Sequence, residues 1–342
     1  ILMKRITSID LFAGVGGMRL GLKNAVHKLG LKHECLFYSE INNWCREVYQ
    51  NNFPKTKLIA DIKSIKPYKI RSVVPEHDIL LAGFPCQPFS QAAVSLRNYL
   101  NRKHGFEDKQ EGNLFFNILD IIATKKPKAF LLENVQNLST YDNGNVMNVI
   151  LESLRKKYYV PDPKILNAQY FGLAQRRRRV YIVGFLEKND CEFMYPEPDN
   201  SKVKVGDFLE KEVDTFYTIS DRLWNGHKKR KLRNKKADKG FGYKLTHPKD
   251  ECTNTITSRY YKDGGECLIY QGKNMNPRKL TPRECFNLQG FPKSFKILES
   301  KIQSYKQAGN AVPVRVVEKI CFNIIHYLLD SKKNRNSSLK AG

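Results

Sequence analysis

Through about Phe185, short apolar runs of strand length alternate with stretches of helical period. This alternation constrains the fold more than any other feature, because strands and helices in turn build an α/β sheet covered on both faces. Strands are expected over 6–12, 35–39, 58–60, 78–83, 129–132, 165–168 and 180–185. Between them Met18, Leu22, Ala25 and Leu29 fall on one helix face, and Leu114, Ile118 and Ile121 on another. The pattern predicts a doubly wound, Rossmann-like sheet. Its last two strands leave no room for a helix between them and should form an antiparallel hairpin.

Beyond Phe185 the composition shifts. Pro196 and Pro198 lead to a basic stretch over 227–236, in a chain whose 59 Lys and Arg against 34 Asp and Glu give a formal charge of +25. Such an excess points to a polyanion such as nucleic acid. A membrane surface is the rival partner, but no apolar run approaches the roughly 20 residues of a bilayer span, and the mean hydropathy is negative. The apolar N-terminal run is too short and strand-like for a secretory signal, so a cytoplasmic location is expected. Eight scattered cysteines without a Cys-x-x-Cys pair indicate neither a zinc site nor a disulfide framework, and no metal is expected.

Residues 240–243 and 255–261, rich in β-formers and followed by Gly264-Gly265, predict a small β-rich lobe. The apolar stretch from Val312 to Leu329 suits a buried helix. The expected division is 1–190 with 303–330 as one domain, 191–285 as a second, 286–302 as a hinge and 331–342 as a disordered tail.

Clusters of chemically apt residues fall just after expected strands. Asp10-Leu11-Phe12-Ala13-Gly14-Val15-Gly16-Gly17 is a strand running into a glycine turn at a helix start, which lets backbone approach a nucleotide-like ligand. Its glycine spacing differs from the G-x-G-x-x-G of a pyrophosphate cradle. Glu40 could bind ribose hydroxyls and Asp61 an adenine amino group. Either acid alone is more readily a solvated loop residue; three sites at successive strand ends describe the crevice of a nucleoside cofactor. In Gly83-Phe84-Pro85-Cys86-Gln87-Pro88-Phe89-Ser90, two prolines bracket a cysteine at a strand's carboxyl end, which favours a nucleophile over a buried hydrophobe. Glu133-Asn134-Val135 places a carboxylate in the same crevice. In Gln175-Arg176-Arg177-Arg178-Arg179, strand alternation would aim Arg177 and Arg179 to one face, although an arginine run is commonly a solvated surface.

Taken in order, these motifs make the chain resemble the DNA cytosine-5 methyltransferases over nearly its whole length. Arg278-Lys279-Leu280-Thr281-Pro282-Arg283-Glu284-Cys285 and Gly309-Asn310-Ala311-Val312 complete the match after a variable region. The resemblance implies a class I S-adenosylmethionine-dependent methyltransferase fold, seven strands with an antiparallel last hairpin, plus a target-recognition lobe. It implies that S-adenosylmethionine is held by Phe12, Ala13, Gly14, Gly16, Gly17, Glu40, Asp61, Ile62, Pro85, Asn310 and Ala311. Ile41 stands where many relatives place an aromatic over the adenine, and Trp44 is no obvious substitute.

The reaction explains the residue types. Carbon 5 of cytosine is a poor nucleophile until a thiolate adds to carbon 6, the role implied for Cys86; a free thiol of pKa about 8.5 needs nearby positive charge or N–H groups to ionise. Glu133, protonated or sharing a proton with N3, would relieve the charge pushed into the ring. Arg179 would hold the base through O2 with Arg177 in support. A stacked base cannot be attacked, so it must be flipped out, at a cost of a few kcal/mol. The loop over 91–106 reads either as a lid gripping phosphates through Arg97, Arg102, Lys103 and His104, or as a surface loop.

Double-stranded DNA is the expected partner. Gln87 and Ser90 would contact it near the base, Lys228, Lys229 and Arg230 would contact phosphates unless they form a solvated helix face, and Arg259 and Tyr260 would read bases. Residues 240–243 and 259–264 are similar to the Dcm-type branch, implying a short GC-rich site of the CCWGG or CCNGG type. A monomer is expected, solitary or with a cognate restriction endonuclease. The alternatives are a tRNA-acting branch, whose Cys-Phe-Thr signature is not found, and a silent DNA-binding protein, disfavoured by intact Cys86, Glu133 and Arg179.

Overall fold

A computed structural model describes residues 5–85, 114–199 and 201–338, the last eight of these by backbone alone. The seven expected strands form one sheet: β1 (Arg5–Leu11), β2 (Lys32–Ser39), β3 (Lys57–Ile59), β4 (Ile79–Gly83), β5 (Ala129–Val135), β6 (Lys164–Asn167) and β7 (Arg178–Phe185). Their order is β3-β2-β1-β4-β5-β7-β6. The pairings from β3 through β5 are parallel, and β7 runs antiparallel to both β5 and β6, as the short connection requires. Because β1 is flanked by β2 on one side and β4 on the other, the chain order reverses there, and a crevice opens beyond their carboxyl ends.

Helices α1 (Gly17–Lys28), α2 (Asn43–Asn52), α3 (Ile70–Val73), α4 (Leu114–Lys125) and α5 (Asn145–Arg155) follow in the same half. Two apolar layers sandwich the sheet. Met18, Leu22 and Ala25 of α1 join one with residues from the end of the chain, while Ile118 and Ile121 of α4 and Val149 and Ile150 of α5 join the other. No helix among the described residues is long and apolar enough to cross a membrane.

The region after Phe185 differs from the β-rich lobe expected of it. Its strands β8 (Leu245–Thr246), β9 (Leu268–Ile269) and β10 (Arg278–Lys279) are two residues each, and the longest element within 191–285 is the helix α6 (Asp221–Lys236). The basic stretch lies on α6, where Lys and Arg are good helix formers and neither Gly nor Pro interrupts the last ten residues. The chain closes with α7 (Pro282–Leu288), α8 (Lys301–Asn310) and α9 (Val314–Ser338). Helix α9 runs on to Ser338, into the tail expected to be disordered, because the polar residues after 330 include no Gly or Pro to stop it.

The junction between β10 and α7 is held by charge. Glu284, fully buried, takes two parallel hydrogen bonds of 2.8 Å from the Arg278 guanidinium and a third of 2.8 Å from the Thr281 N–H. The Thr281 hydroxyl accepts in return from the Glu284 N–H at 3.1 Å, a reciprocal cap with Pro282 at the first helical position. Glu284→Ala should leave the Arg278 charge buried and unpaired and cost about 3–5 kcal/mol of stability in urea unfolding; a loss under 1 kcal/mol would contradict this account.

Candidate active site

Where β1 ends, the backbone bends sharply. Phe12 adopts φ 53°, a left-handed conformation uncommon for a bulky residue, and Gly14 and Gly16 follow at φ 54° and 91°. Gly16 cannot be larger for a second reason: a Cβ there would lie 2.5 Å from the Phe53 ring. Glu40, at the end of β2, braces the turn, one carboxylate oxygen accepting from the Gly14 N–H and the other from the Asn42 N–H, both at 2.8 Å. The turn forms one wall of a cleft with about 460 Å³ of empty space. Phe12, Ala13, Gly14, Gly17, Glu133, Asn310 and Ala311 all line it, so the first, third and last sequence clusters converge. Gly16, Asp61, Ile62 and Pro85 do not line it: Asp61 accepts from the Lys63 N–H at 2.9 Å as the cap of a single turn, Ile62 is buried in the core, and Pro85 is exposed.

Asp10 also lines this cleft, a residue the sequence placed in the motif but gave no role. It is fully buried. One oxygen accepts from the Tyr49 hydroxyl at 3.2 Å, and Oδ1 has no partner. Burial pushes its carboxyl up to about 8, against the opposing pull of Arg19 and Tyr49. An unpartnered buried acceptor beside a backbone-lined turn suits a ligand carrying an amino group.

Glu133 lies on β5, in register with Gly83 of β4 and Tyr181 of β7. Its Oε1 is 3.1 Å from Arg179 Nε. Burial raises the Glu133 carboxyl above its ordinary range, while Arg179 and then Arg177 pull it down. Next in sequence, the Asn134 amide donates to the Phe84 carbonyl at 2.9 Å and so holds the chain where it leaves β4 toward Pro85.

The arginine run alternates as expected, with Arg176 and Arg178 exposed and Arg177 inside. Arg177 is only 1% exposed and donates to the carbonyls of Ile256 at 3.1 Å, Gly309 at 2.9 Å and Ala311 at 2.7 Å. It is a positioning residue, joining the hairpin to the cleft wall and to the 253–257 segment. Gln175, to which sequence reasoning assigned no role, is fully buried beside it, accepting from the Ile256 N–H at 3.0 Å and donating to the Leu288 carbonyl at 3.3 Å. Gly309 meets the same segment so closely that a Cβ would sit 2.2 Å from the Thr257 carbonyl carbon.

The expected nucleophile Cys86 and the expected DNA contacts Gln87, Ser90, Arg97 and Arg102 lie outside the described residues. Lys228 and Lys229 are exposed on α6, and Arg259 is exposed nearby. Two expectations are corrected. Arg230 turns inward, its guanidinium donating to the Gly242 carbonyl at 3.1 and 2.9 Å, to Asp263 at 2.7 Å and to the His227 ring at 2.8 Å, so it braces the lobe from within. Tyr260 is fully buried, its hydroxyl donating to the Cys267 carbonyl at 2.6 Å and accepting from the Leu280 N–H at 2.8 Å, which leaves no face for a base.

The Asp10 carboxyl has a testable consequence. Its raised value means that the folded chain holds a proton the unfolded chain releases near pH 4. Its contribution to stability is therefore full at low pH and is lost as pH rises toward about 8. Between pH 6 and 8 the melting temperature of the ligand-free protein should fall further than that of Asp10→Asn; parallel curves would show that Asp10 does not titrate there.

Residues 6–326 match the family model of the C-5 cytosine-specific DNA methylases. Among similar proteins, Type II methyltransferase M.NlaX of Neisseria lactamica is 47% identical, covering 91% of this chain and 94% of the relative. Type II methyltransferase M.DsaV of Dactylococcopsis salina is 45% identical over 95% of this chain and 87% of the relative. The DNA-cytosine methyltransferase of Escherichia coli K12 is 34% identical over 97% and 79%. In fold, the chain is similar to Spodoptera frugiperda DNMT2 with TM-score 0.73 at 20% identity, covering 94% of this chain and 99% of that one. S. pombe Dnmt2 follows with TM-score 0.72 at 20% identity, covering 95% and 98%. With its ordered motifs gathered around one cleft and this match along nearly its full length, the chain belongs to the C-5 cytosine-specific DNA methylases.

Proposed function

We propose that this DNA cytosine-5 methyltransferase acts on a cytosine flipped out of a short GC-rich duplex site, with Cys86 as nucleophile, Glu133 as proton partner of N3 and Arg179 as the holder of O2. The observation that carries the reading is the Glu133–Arg179 pair at 3.1 Å, enclosed at the carboxyl end of β5 beside the strand that leads into Pro85. Burial raises the Glu133 carboxyl above its ordinary range, so that it gives up its proton less readily, while Arg179 opposes that shift and holds the group in place. Each group can turn from the other to the edge of a pyrimidine that enters between them. The thiolate of Cys86 would add to carbon 6 while Glu133 shares its proton with N3; carbon 5 would then take the methyl group as its bond to the donor's sulfur breaks and the neutral thioether leaves, and loss of the carbon 5 proton to water would expel the thiolate.

The fold and family imply S-adenosylmethionine as methyl donor; when bound, it supplies a methyl group activated on a sulfonium. The residues present fit it. Phe12, Ala13, Gly14, Gly17, Asn310 and Ala311 wall the cleft, and the unpartnered Oδ1 of Asp10 can accept from its ammonium. Glu40 and Asp61, at the ends of neighbouring strands, would take the ribose and adenine, with Gly16, Ile62 and Pro85 supporting the walls. The 191–285 region would be the target-recognition lobe, with 286–302 as its hinge. A GC-rich site of the CCWGG or CCNGG type follows from the likeness of residues 240–243 and 259–264 to the Dcm-type branch, and a cognate restriction endonuclease is the matching partner.

A duplex pool containing 5-fluorocytosine tests this directly, because fluorine at carbon 5 blocks the final proton loss. With S-adenosylmethionine, the wild type should be captured covalently on DNA, and sequencing of the trapped strands should return one short site. Cys86→Ser should give no capture while still binding DNA, and Glu133→Gln should slow transfer by roughly 10²–10⁴-fold with folding retained. Capture by Cys86→Ser would overturn the mechanism; capture on fluorinated tRNA in place of DNA would overturn the substrate.

Neutralising Lys228, Lys229 and Lys231 on the exposed side of α6 should weaken binding to all sequences alike and flatten its dependence on salt. A change in the preferred sequence would show instead that this helix face reads bases.

A further inference from the structure

We propose that Gln307 is a further binding residue for the methyl donor, its side-chain amide receiving the carboxylate at the amino-acid end. The assignment rests on the reading of the cleft as the S-adenosylmethionine site. Gln307 lies on α8 and lines the same cleft as Asp10. It is 4% exposed, yet neither Nε2 nor Oε1 has a hydrogen-bond partner of ordinary geometry, and the side chain that bears on it is the weakly polar thiol of Cys45. A buried amide left in that state is destabilising, and a ligand group of complementary polarity relieves it.

Two such groups in one cleft define the ligand more narrowly than either alone. Asp10, once its carboxyl gives up its proton, presents an oxygen without a donor, and Gln307 presents an unpartnered N–H₂ donor beside an unpartnered Oε1. An α-amino acid end carries an ammonium and a carboxylate on one carbon and answers both. The amide also suits a sulfonium ligand better than a lysine or arginine would, because it binds a carboxylate without adding a positive charge to the cleft. Its helix is fixed in place: the Ala308 carbonyl accepts from the Gln289 amide at 2.8 Å, and Ser304, Tyr305 and Ala308 are buried. The amide is therefore held before the ligand arrives, which limits the ordering cost of binding.

The test compares S-adenosylhomocysteine with 5′-methylthioadenosine, which lacks the amino-acid end, by calorimetric titration of the full chain. Gln307→Leu should weaken S-adenosylhomocysteine roughly tenfold, about 1.4 kcal/mol, and leave 5′-methylthioadenosine unchanged. The nearly isosteric Gln307→Glu, which also covers the case in which Gln307→Leu does not fold, should weaken S-adenosylhomocysteine at least as much, because two carboxylates would then face each other. Equal weakening of both ligands, or no weakening of S-adenosylhomocysteine, would overturn the assignment and make Gln307 a packing residue. A wild type that bound neither ligand would overturn the cofactor reading itself.

Discussion

The buried guanidinium of Arg177 is the interaction on which the rest of the site depends. Removing an arginine from water costs several kcal/mol unless its charge and hydrogens are answered. Here three carbonyls from two distant parts of the chain accept from its two terminal nitrogens and Glu133 supplies opposite charge nearby, while Nε is left without a partner. The carbonyls belong to Ile256 in the segment after the basic helix and to Gly309 and Ala311 at the cleft wall. One side chain thus sets the spacing between the β6–β7 hairpin, the cleft wall and the 253–257 segment. Gln175 repeats the arrangement with a neutral amide one inward position earlier, and Gly309 allows the approach by having no side chain.

Around that joint the sheet supplies a gradient of polarity. Asp10 and Glu133 lie near the ends of strands whose residues are mostly buried, so both acids are pushed toward their protonated forms. They differ in what opposes the push. Glu133 has an arginine partner in direct contact, whereas Asp10 has a tyrosine hydroxyl and an oxygen left free. The first is suited to sharing a proton during chemistry, and the second to receiving a cationic group on binding.

The recognition region is built on other terms. Its paired strands are too short to form a stable sheet alone, so polar anchors hold it: Arg230 against Gly242 and Asp263, Tyr260 between Cys267 and Leu280, and Arg278 with Glu284 at its base. Anchors of this kind fix loops without regular structure. They leave the opposite face of α6, with Lys228, Lys229 and Lys231, in solvent, where a phosphate backbone can meet it.

What the sequence by itself determined was the order of elements and the chemistry at their ends. Seven strands, the final antiparallel hairpin and the helix faces of α1 and α4 follow from local periodicity, because burial of one face imposes a period that single residues report. The motifs at Phe12–Gly17, Glu133 and Asn310-Ala311 were legible for the same reason, since each sits where a strand or helix ends. Only the tertiary structure decided which polar residues face inward. Arg230 and Tyr260 belong to segments that look like DNA-facing surface, and their neighbours Lys229 and Arg259 are indeed exposed; which of two adjacent side chains turns in depends on partners 7 to 33 residues away. The unpartnered atoms of Asp10 and Gln307 were likewise beyond local reading, because the absence of a hydrogen-bond partner is a property of everything packed around a group and not of the residues beside it in the chain.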